Sequence, residues 1–415
     1  MNQLTLFLPC AAGVEEWLAD EVHAITGLTG HDLLTGRGGV KALGSWRQAM
    51  ELNLHSRLAQ RVLIELSHTL YRQENDLYAA ASAVAWELWF TPRQTFKIDL
   101  TAQHSPLQSL NFAALRIKDA IADRFRAKAG ERPSVDTHHP DVRIHVHLSP
   151  EHATLYIDTT GQPLFKRGWR EDKGDAPLKE TLAAAMLAAS GWDGQTPLYD
   201  PCCGSGTIVI EAAQIACGMA PGRQRRFGFE KLLPFQPHVW QGIQDAARAR
   251  EHAPTAPIFG SDVSHRMVDF AERNAQRAGV AHALQLRGGD ALQRMPPCPE
   301  PGLMLLNPPY GERIHAAGVA GQKAGSRLGR EAFQRSTLAH TDPAQDEQGD
   351  AFFQQLATHW KSHYSGWTAW MLTPDMKLPG RMRFKESRRI PMWNGPIECR
   401  LFRFDLLARK TPPSP

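Results

Sequence analysis

Leu198-Tyr199-Asp200-Pro201-Cys202-Cys203-Gly204-Ser205-Gly206-Thr207 decides the fold. A short strand over Leu198–Asp200 ends in a carboxylate, two glycines allow a tight turn, and an apolar helix follows over Thr207–Ala216. Gly204 and Gly206 remove side chains that would keep a ligand from the backbone. There is no third glycine at the dinucleotide spacing, and Asp200 would repel a pyrophosphate. The ammonium or sulfonium of S-adenosylmethionine would instead be attracted.

Outward from this turn, strand and helix alternate, the mark of a mostly parallel sheet with helices on both faces. Ile258–Asp262 reads as a strand ending in an acid, 267–278 as a helix, and 283–287 as a strand before Gly288-Gly289-Asp290. The apolar run 302–306 feeds Asn307-Pro308-Pro309-Tyr310. Polar groups thus recur at strand carboxyl ends, where open α/β sheets bind ligands. Asp262 is placed to accept both ribose hydroxyls and Asp290 to meet the adenine amino group, although helix capping accounts for either acid alone nearly as well.

Asn307 through Tyr310 suits a methyl acceptor with a planar nitrogen. The lone pair of such a nitrogen is delocalised, so the amino group needs positioning more than a strong base. The Asn307 carboxamide oxygen and the Pro308 carbonyl can each accept one N–H and aim the lone pair. Pro308 and Pro309 fix the loop because neither has a backbone donor and both hold φ near −65°. Tyr310 can stack on the base. A plain turn is the alternative.

The first 160 residues contain no glycine-rich phosphate loop and read as two small α+β modules in series. Strands are expected over 4–8, 39–43, 61–67, 95–102 and Val142–Leu148, the last pairing with 153–159. Helices are expected over 14–25, over 45–54 with Ser45 as N-cap, and over Leu110–Ala129. A helix with Pro177 in its first turn opens the larger second domain. Residues 218–257 form an insertion rich in Arg, Phe and Trp, and 315–349 a loop expected to be mobile. Helix 351–364, strand 367–372 and the pair 384–390 and Ile397–Asp405 complete the chain.

The chain has 415 residues, a net charge of +4, 42% hydrophobic and 22% charged residues, enough for two or three domains of ordinary soluble composition. No apolar stretch reaches the roughly 18–20 residues of a membrane span, and the N-terminus lacks a secretory signal, so a cytoplasmic location is expected. Six scattered cysteines include no C-x-x-C pair, and His145 and His147 lack a third ligand, so no metal or disulfide framework is expected. Mild basicity permits a nucleic-acid partner. Basic groups cluster at 166–170, 223–226 and 381–389. Of these, Lys166, Arg167, Arg170, Arg223, Arg225 and Arg226 are the candidate phosphate contacts.

Residues 200–213, 307–314, 165–170 and 177–186 resemble the THUMP-domain-containing RNA guanine-N2 methyltransferases, and the likeness extends over nearly the whole chain. The resemblance implies a ferredoxin-like segment over 1–50, a THUMP RNA-binding domain over 51–160, a linker over 161–176 and a Rossmann-like class I methyltransferase domain over 177–410 with a seven-stranded sheet. It implies S-adenosylmethionine held by Asp200, Cys202, Gly204, Gly206 and Thr207, and catalysis by the Asn307–Tyr310 motif. The implied reaction is methylation of N2 of a guanosine in 23S rRNA, with no obligate protein partner. The alternatives are a tRNA guanosine, or an RNA-binding assembly factor without activity.

Overall fold

The computed structural model describes residues 3–174, 177–308 and 343–407, and the chain divides into two compact units. The first takes residues 1–10, 14–166 and 221–249, and the second takes 11–13, 167–220 and 250–415.

In the first unit, β1 (Leu4–Pro9), β2 (Leu33–Gly36), β3 (Gly39–Gly44), β4 (Leu63–Leu70), β5 (Phe96–Ala102), β6 (Val142–Leu148) and β7 (His152–Asp158) form one sheet in the order β2-β3-β1-β4-β7-β6-β5. The two modules expected in series therefore share a sheet, joined where β1 pairs antiparallel with β4 through Leu6 and Ile64. The strict alternation of β6 appears as alternating burial, with Val142, Ile144, Val146 and Leu148 in the core. Helix α1 covers Glu15–Thr26. Ser45 caps α2 (Trp46–His55) in a reciprocal box, accepting from Gln48 N at 3.2 Å while Gln48 Oε1 accepts from Ser45 N at 2.8 Å. The sequence reading missed α3 (Glu74–Ala83), although Asp76 accepts from the backbone N–H groups of Arg72 and Gln73 at its start. Helix α4 (Leu110–Ala129) lies where its periodicity placed it.

The aromatic insertion folds largely with this first unit. Its helix, α7 (Pro237–Arg248), presents Trp240 to Phe229 at 4.9 Å between ring centroids, and Phe229 in turn meets Trp46 at 6.5 Å. Each such ring withdrawn from water contributes about 2–3 kcal/mol. Residues 221–249 thus leave the run of the second domain to complete the core of the first.

The second unit is built on β8 (Leu198–Asp200), β9 (Ile258–Asp262), β10 (Leu284–Gly288), β11 (Leu303–Leu306), β12 (Thr368–Thr373), β13 (Arg388–Asn394) and β14 (Ile397–Asp405), ordered β10-β9-β8-β11-β12-β14-β13. Five strands from β10 to β12 are parallel, and β14 and β13 are antiparallel additions. It is the expected seven-stranded, mostly parallel α/β sheet. Helices α5 (Glu180–Ser190), α6 (Thr207–Ala216) and α8 (His265–Ala278) flank it. Helix α9 spans Pro343–His363, eight residues earlier than expected, so the end of the predicted 315–349 loop is helical, and residues 315–342 lie outside the described residues. A one-turn α10 (Leu378–Arg381) follows β12. Met304, Leu306, Trp360, Tyr364, Met371, Phe402 and Phe404 share one core. Strand β13 begins four residues later than expected because residues 382–387 run from α10 to the sheet, and its hairpin turns at Gly395, with φ +64°.

Candidate active site

Parallel pairing brings the carboxyl ends of β8, β9, β10 and β11 to one edge, with Asp200 level with Gly260 and Asp262 level with Gly288. Residues 201–206 are held there by their own backbone. Cys203 N donates to Ser261 O at 2.9 Å, Gly204 N to Asp262 Oδ2 at 2.9 Å, and Gly206 N to Cys203 O at 2.8 Å. Gly204 and Gly206 have φ of +53° and +90°. A Cβ on Gly206 would stand 3.0 Å from Ala271 Cβ, so this glycine also lets α6 approach α8.

Asp200 Oδ1 accepts from Cys202 N at 3.0 Å, Asp262 Oδ1 from Ser264 N at 2.9 Å, and Asp290 Oδ1 from Leu292 N at 2.9 Å. Each acid therefore does cap or brace a turn, as the simpler reading allowed. Yet none of the three carboxylates has an ion-pair partner among the described residues. Burial pushes the Asp200 carboxyl well above the usual carboxylate range, and the nearby Asp262 charge adds to the effect. Burial raises Asp262 as well. The thiols of Cys202 and Cys203 are raised by burial first and by the same acids second, which leaves them neutral packing groups rather than nucleophiles. This chemistry fits a ligand bearing an ammonium or sulfonium together with hydroxyl donors.

Asn307 follows β11 directly, and β11 pairs with β8 through Leu303–Leu198 and Met304–Tyr199, which brings Asn307 to the same sheet edge as Asp200. Its Oδ1 is buried without a hydrogen-bond partner among the described residues. Leaving such an acceptor unpaired costs about 1–3 kcal/mol, a cost that a bound donor removes. Pro308 is buried; Pro309 and Tyr310 lie outside the described residues.

Beneath the loop is a network that the sequence reading missed. Arg170 Nε pairs with Glu180 Oε1 at 2.8 Å, while its Nη atoms donate to Ser205 Oγ at 3.1 Å and Thr207 Oγ1 at 2.8 Å. Arg167 forms a bidentate pair with Glu211, at 3.0 and 3.2 Å. Asn274, fully buried, donates to Ser205 O at 3.0 Å. Glu211 carried a signal, being a lone charge inside the apolar run Ile208-Val209-Ile210-Glu211-Ala212-Ala213.

These contacts correct two expected RNA contacts. Arg167 is 2% exposed and cannot meet a phosphate, and Arg170 braces the glycine loop. The Thr207 hydroxyl, also expected at the cofactor, accepts from Arg170 at 2.8 Å. In the first unit, the half-buried Arg225 donates from its guanidinium to the carbonyls of Gln162, Pro163 and Lys166. Lys166, Arg223 and Arg226 are exposed in that unit. His145 pairs with the buried Asp158 at 3.2 Å. No described helix is long and apolar enough to cross a membrane.

Comparison with known proteins agrees with this geometry. Residues 5–63 match the RlmL ferredoxin-like domain, 71–158 the THUMP domain, and 167–336 the RMKL-like methyltransferase domain. The chain is 36% identical over 414 residues to "Ribosomal RNA large subunit methyltransferase K/L" of Psychromonas ingrahamii, covering 98% of this chain and 51% of that protein. It spans about half the length of the curated K/L relatives it matches. It is 33% identical over 402 residues to "Putative RNA methyltransferase slr0064" of Synechocystis sp., covering 96% of each. Among solved structures, "Crystal structure of SMU.472, a putative methyltransferase complexed with SAH" superposes with a TM-score of 0.82 at 25% identity, over 99% of this chain and 100% of that one. With a ferredoxin-like domain, a THUMP domain and the loop-and-Asn307 site in sequence, the chain belongs to the family of THUMP proteins that carry an RMKL-like methyltransferase domain.

Proposed function

We propose that this protein is a cytoplasmic S-adenosylmethionine-dependent methyltransferase that modifies the exocyclic N2 of a guanosine in 23S rRNA. The observation that carries the reading is the buried Asn307 Oδ1, unpartnered among the described residues, at the same strand edge as three carboxylates that meet no cation among them. The names and domains of the relatives add RNA, and large-subunit rRNA in particular, as the substrate class.

Asp200 would hold the ammonium of the cofactor, Asp262 its ribose hydroxyls and Asp290 its adenine amino group, with Gly204 and Gly206 admitting it to the backbone. When bound, the cofactor supplies an electrophilic methyl group. Asn307 Oδ1 and the Pro308 carbonyl each accept one N–H of the guanine amino group, which turns its lone pair toward that methyl. Tyr310 stacks on the base. N2 would gain the methyl carbon as the methyl–sulfur bond of the cofactor breaks, leaving S-adenosylhomocysteine, and would then release one proton to solvent, so no strongly basic side chain is required. A guanosine inside folded RNA must first be turned out of its stack, with the THUMP region holding the surrounding RNA.

Nucleoside mass spectrometry of separated 23S rRNA, 16S rRNA and tRNA, from cells with and without the gene, tests the substrate. Loss of N2-methylguanosine from 23S rRNA alone is expected, whereas loss from tRNA moves the acceptor. Replacing Asn307 by Ala is expected to slow transfer by about 100-fold while retaining S-adenosylhomocysteine binding, and an unchanged rate would remove Asn307 from the mechanism.

A further inference from the structure

The third basic cluster, residues 381–389, is not absorbed by the site described above. Arg381 is held by Asp375 at 2.8 Å, but Arg383, Lys385, Arg388 and Arg389 are exposed, and Glu386 is the single acid in the run. Arg389 has no ion-pair partner among the described residues. It borders a groove of about 430 Å³ lined by Met376, Arg389, Pro391, Arg400 and Phe402.

Strand pairing explains how that groove arises. Arg389 lies opposite Phe402 and Pro391 opposite Arg400, so residues of alternating position on β13 and β14 bring two guanidiniums and an apolar floor to one sheet face. Arg400 donates from one Nη to Glu398 Oε1 at 2.8 Å and from the other to Cys399 O at 3.0 Å, which engages two of the five N–H donors of its guanidinium. Among the described residues the lining contains no acid.

The register also fixes the groove's place relative to Asn307. Leu306 on β11 is level with Met371 on β12, Met371 with Phe402 on β14, and Phe402 with Arg389 on β13. Asn307 is the next residue after Leu306, so Arg389 stands three strand spacings away, roughly 14 Å. That is within reach of a neighbouring nucleotide in the chain whose guanosine is presented at Asn307. The volume falls in the range of about 300–1,000 Å³ usual for small-ligand sites. Two guanidiniums above an apolar floor complement a phosphodiester with its attached base and ribose. A protein segment would leave Arg389 unpaired unless it brought its own acid.

We propose that this groove is an RNA subsite that holds a nucleotide flanking the methylated guanosine, with its phosphate on Arg389 and Arg400 and its base or ribose over Met376 and Pro391. The inference rests on the RNA-methyltransferase reading and adds to it a substrate contact made by the catalytic unit itself, apart from the THUMP region.

The test uses the full chain and 23S rRNA purified from cells lacking the gene. For Arg389→Ala, Arg389→Glu and Arg389→Lys, the measured quantities are KM for RNA, the dependence of RNA affinity on salt, and S-adenosylhomocysteine affinity by calorimetry. Loss of one phosphate contact lowers the slope of log affinity against log salt by about 0.7. The Ala variant should raise KM by about tenfold, the size of one charged hydrogen bond, the Glu variant by more, and the Lys variant should recover most of the loss. Cofactor-product affinity should stay within twofold in all three. If the wild type methylates the RNA and Arg389→Glu matches it in KM and salt slope, the subsite is refuted and the groove is left to a protein partner. If the wild type methylates no guanosine in any RNA, the functional reading fails first and the subsite with it.

Discussion

Asp200→Asn should make the empty protein more stable and the loaded one weaker. In the wild type, Asp200 is 2% exposed, accepts from Cys202 N at 3.0 Å, and faces the Asp262 charge with no cation among the described residues. Its carboxyl is raised well above its ordinary value of 3.8, by burial first and by Asp262 second. A carboxyl whose folded-state pKa exceeds its unfolded one contributes stability that is complete below the ordinary carboxylate range and is lost as pH climbs through the raised value. Each unit of elevation corresponds to about 1.4 kcal/mol, so the empty wild type should lose stability progressively above about pH 4, and more steeply than Asp200→Asn. The Asn carboxamide oxygen still accepts from Cys202 N, so the turn is kept. Binding is affected in the opposite sense. A hydrogen bond to a charged group contributes about 1.5–3 kcal/mol, so S-adenosylhomocysteine should bind roughly 10- to 150-fold more weakly. Thermal melting from pH 5 to 9, with and without S-adenosylhomocysteine, and calorimetric titration measure both effects. An empty variant that melts below the wild type at pH 8, or one that binds S-adenosylhomocysteine as tightly as the wild type, would refute the view of Asp200 as a destabilised charge awaiting a cation.

Gly206→Ala places a Cβ at φ +90° and 3.0 Å from Ala271 Cβ, so left-handed strain and overpacking together should cost about 2–4 kcal/mol, read as a lower urea midpoint with weakened S-adenosylhomocysteine binding. Glu211→Ala removes the carboxylate paired with the buried Arg167 guanidinium and should cost about 3–5 kcal/mol in urea unfolding, whereas the double variant Arg167→Met/Glu211→Leu should recover most of it. A double variant as unstable as the single one would show that the pair is needed for more than mutual neutralisation.

What the sequence could show was local or periodic. The glycine turn after β8 was legible because positive φ and close helix approach select glycine at the position itself, and α6, β6 and α4 were legible because one buried face repeats at the period of its element. Asp200 and Asp262 at the ends of β8 and β9, Asp290 just after β10 and Asn307 just after β11 were legible because each stands at or just past the carboxyl end of a strand-like run. Short or weakly apolar elements were not: Leu33–Gly36 is four residues of mostly exposed strand, stabilised as such by its pairing with β3.

Charge was where the sequence misled. Within the five residues 166–170, Lys166 is exposed, Arg167 is buried on Glu211 and Arg170 braces Ser205 and Thr207, because a guanidinium's role is set by carboxylates and hydroxyls 10 to 44 residues away. The aromatic insertion likewise belongs to the first unit because Trp46, nearly 200 residues earlier, offers a ring surface that Phe229 and Trp240 can bury. The sequence alone determined which strand ends carry polar groups and which turns need glycine, since both follow from local backbone geometry. The tertiary structure alone decided which charges are buried, which remain exposed, and that Asn307 Oδ1 has no partner among the described residues, since burial and pairing are properties of segments that meet only in the fold.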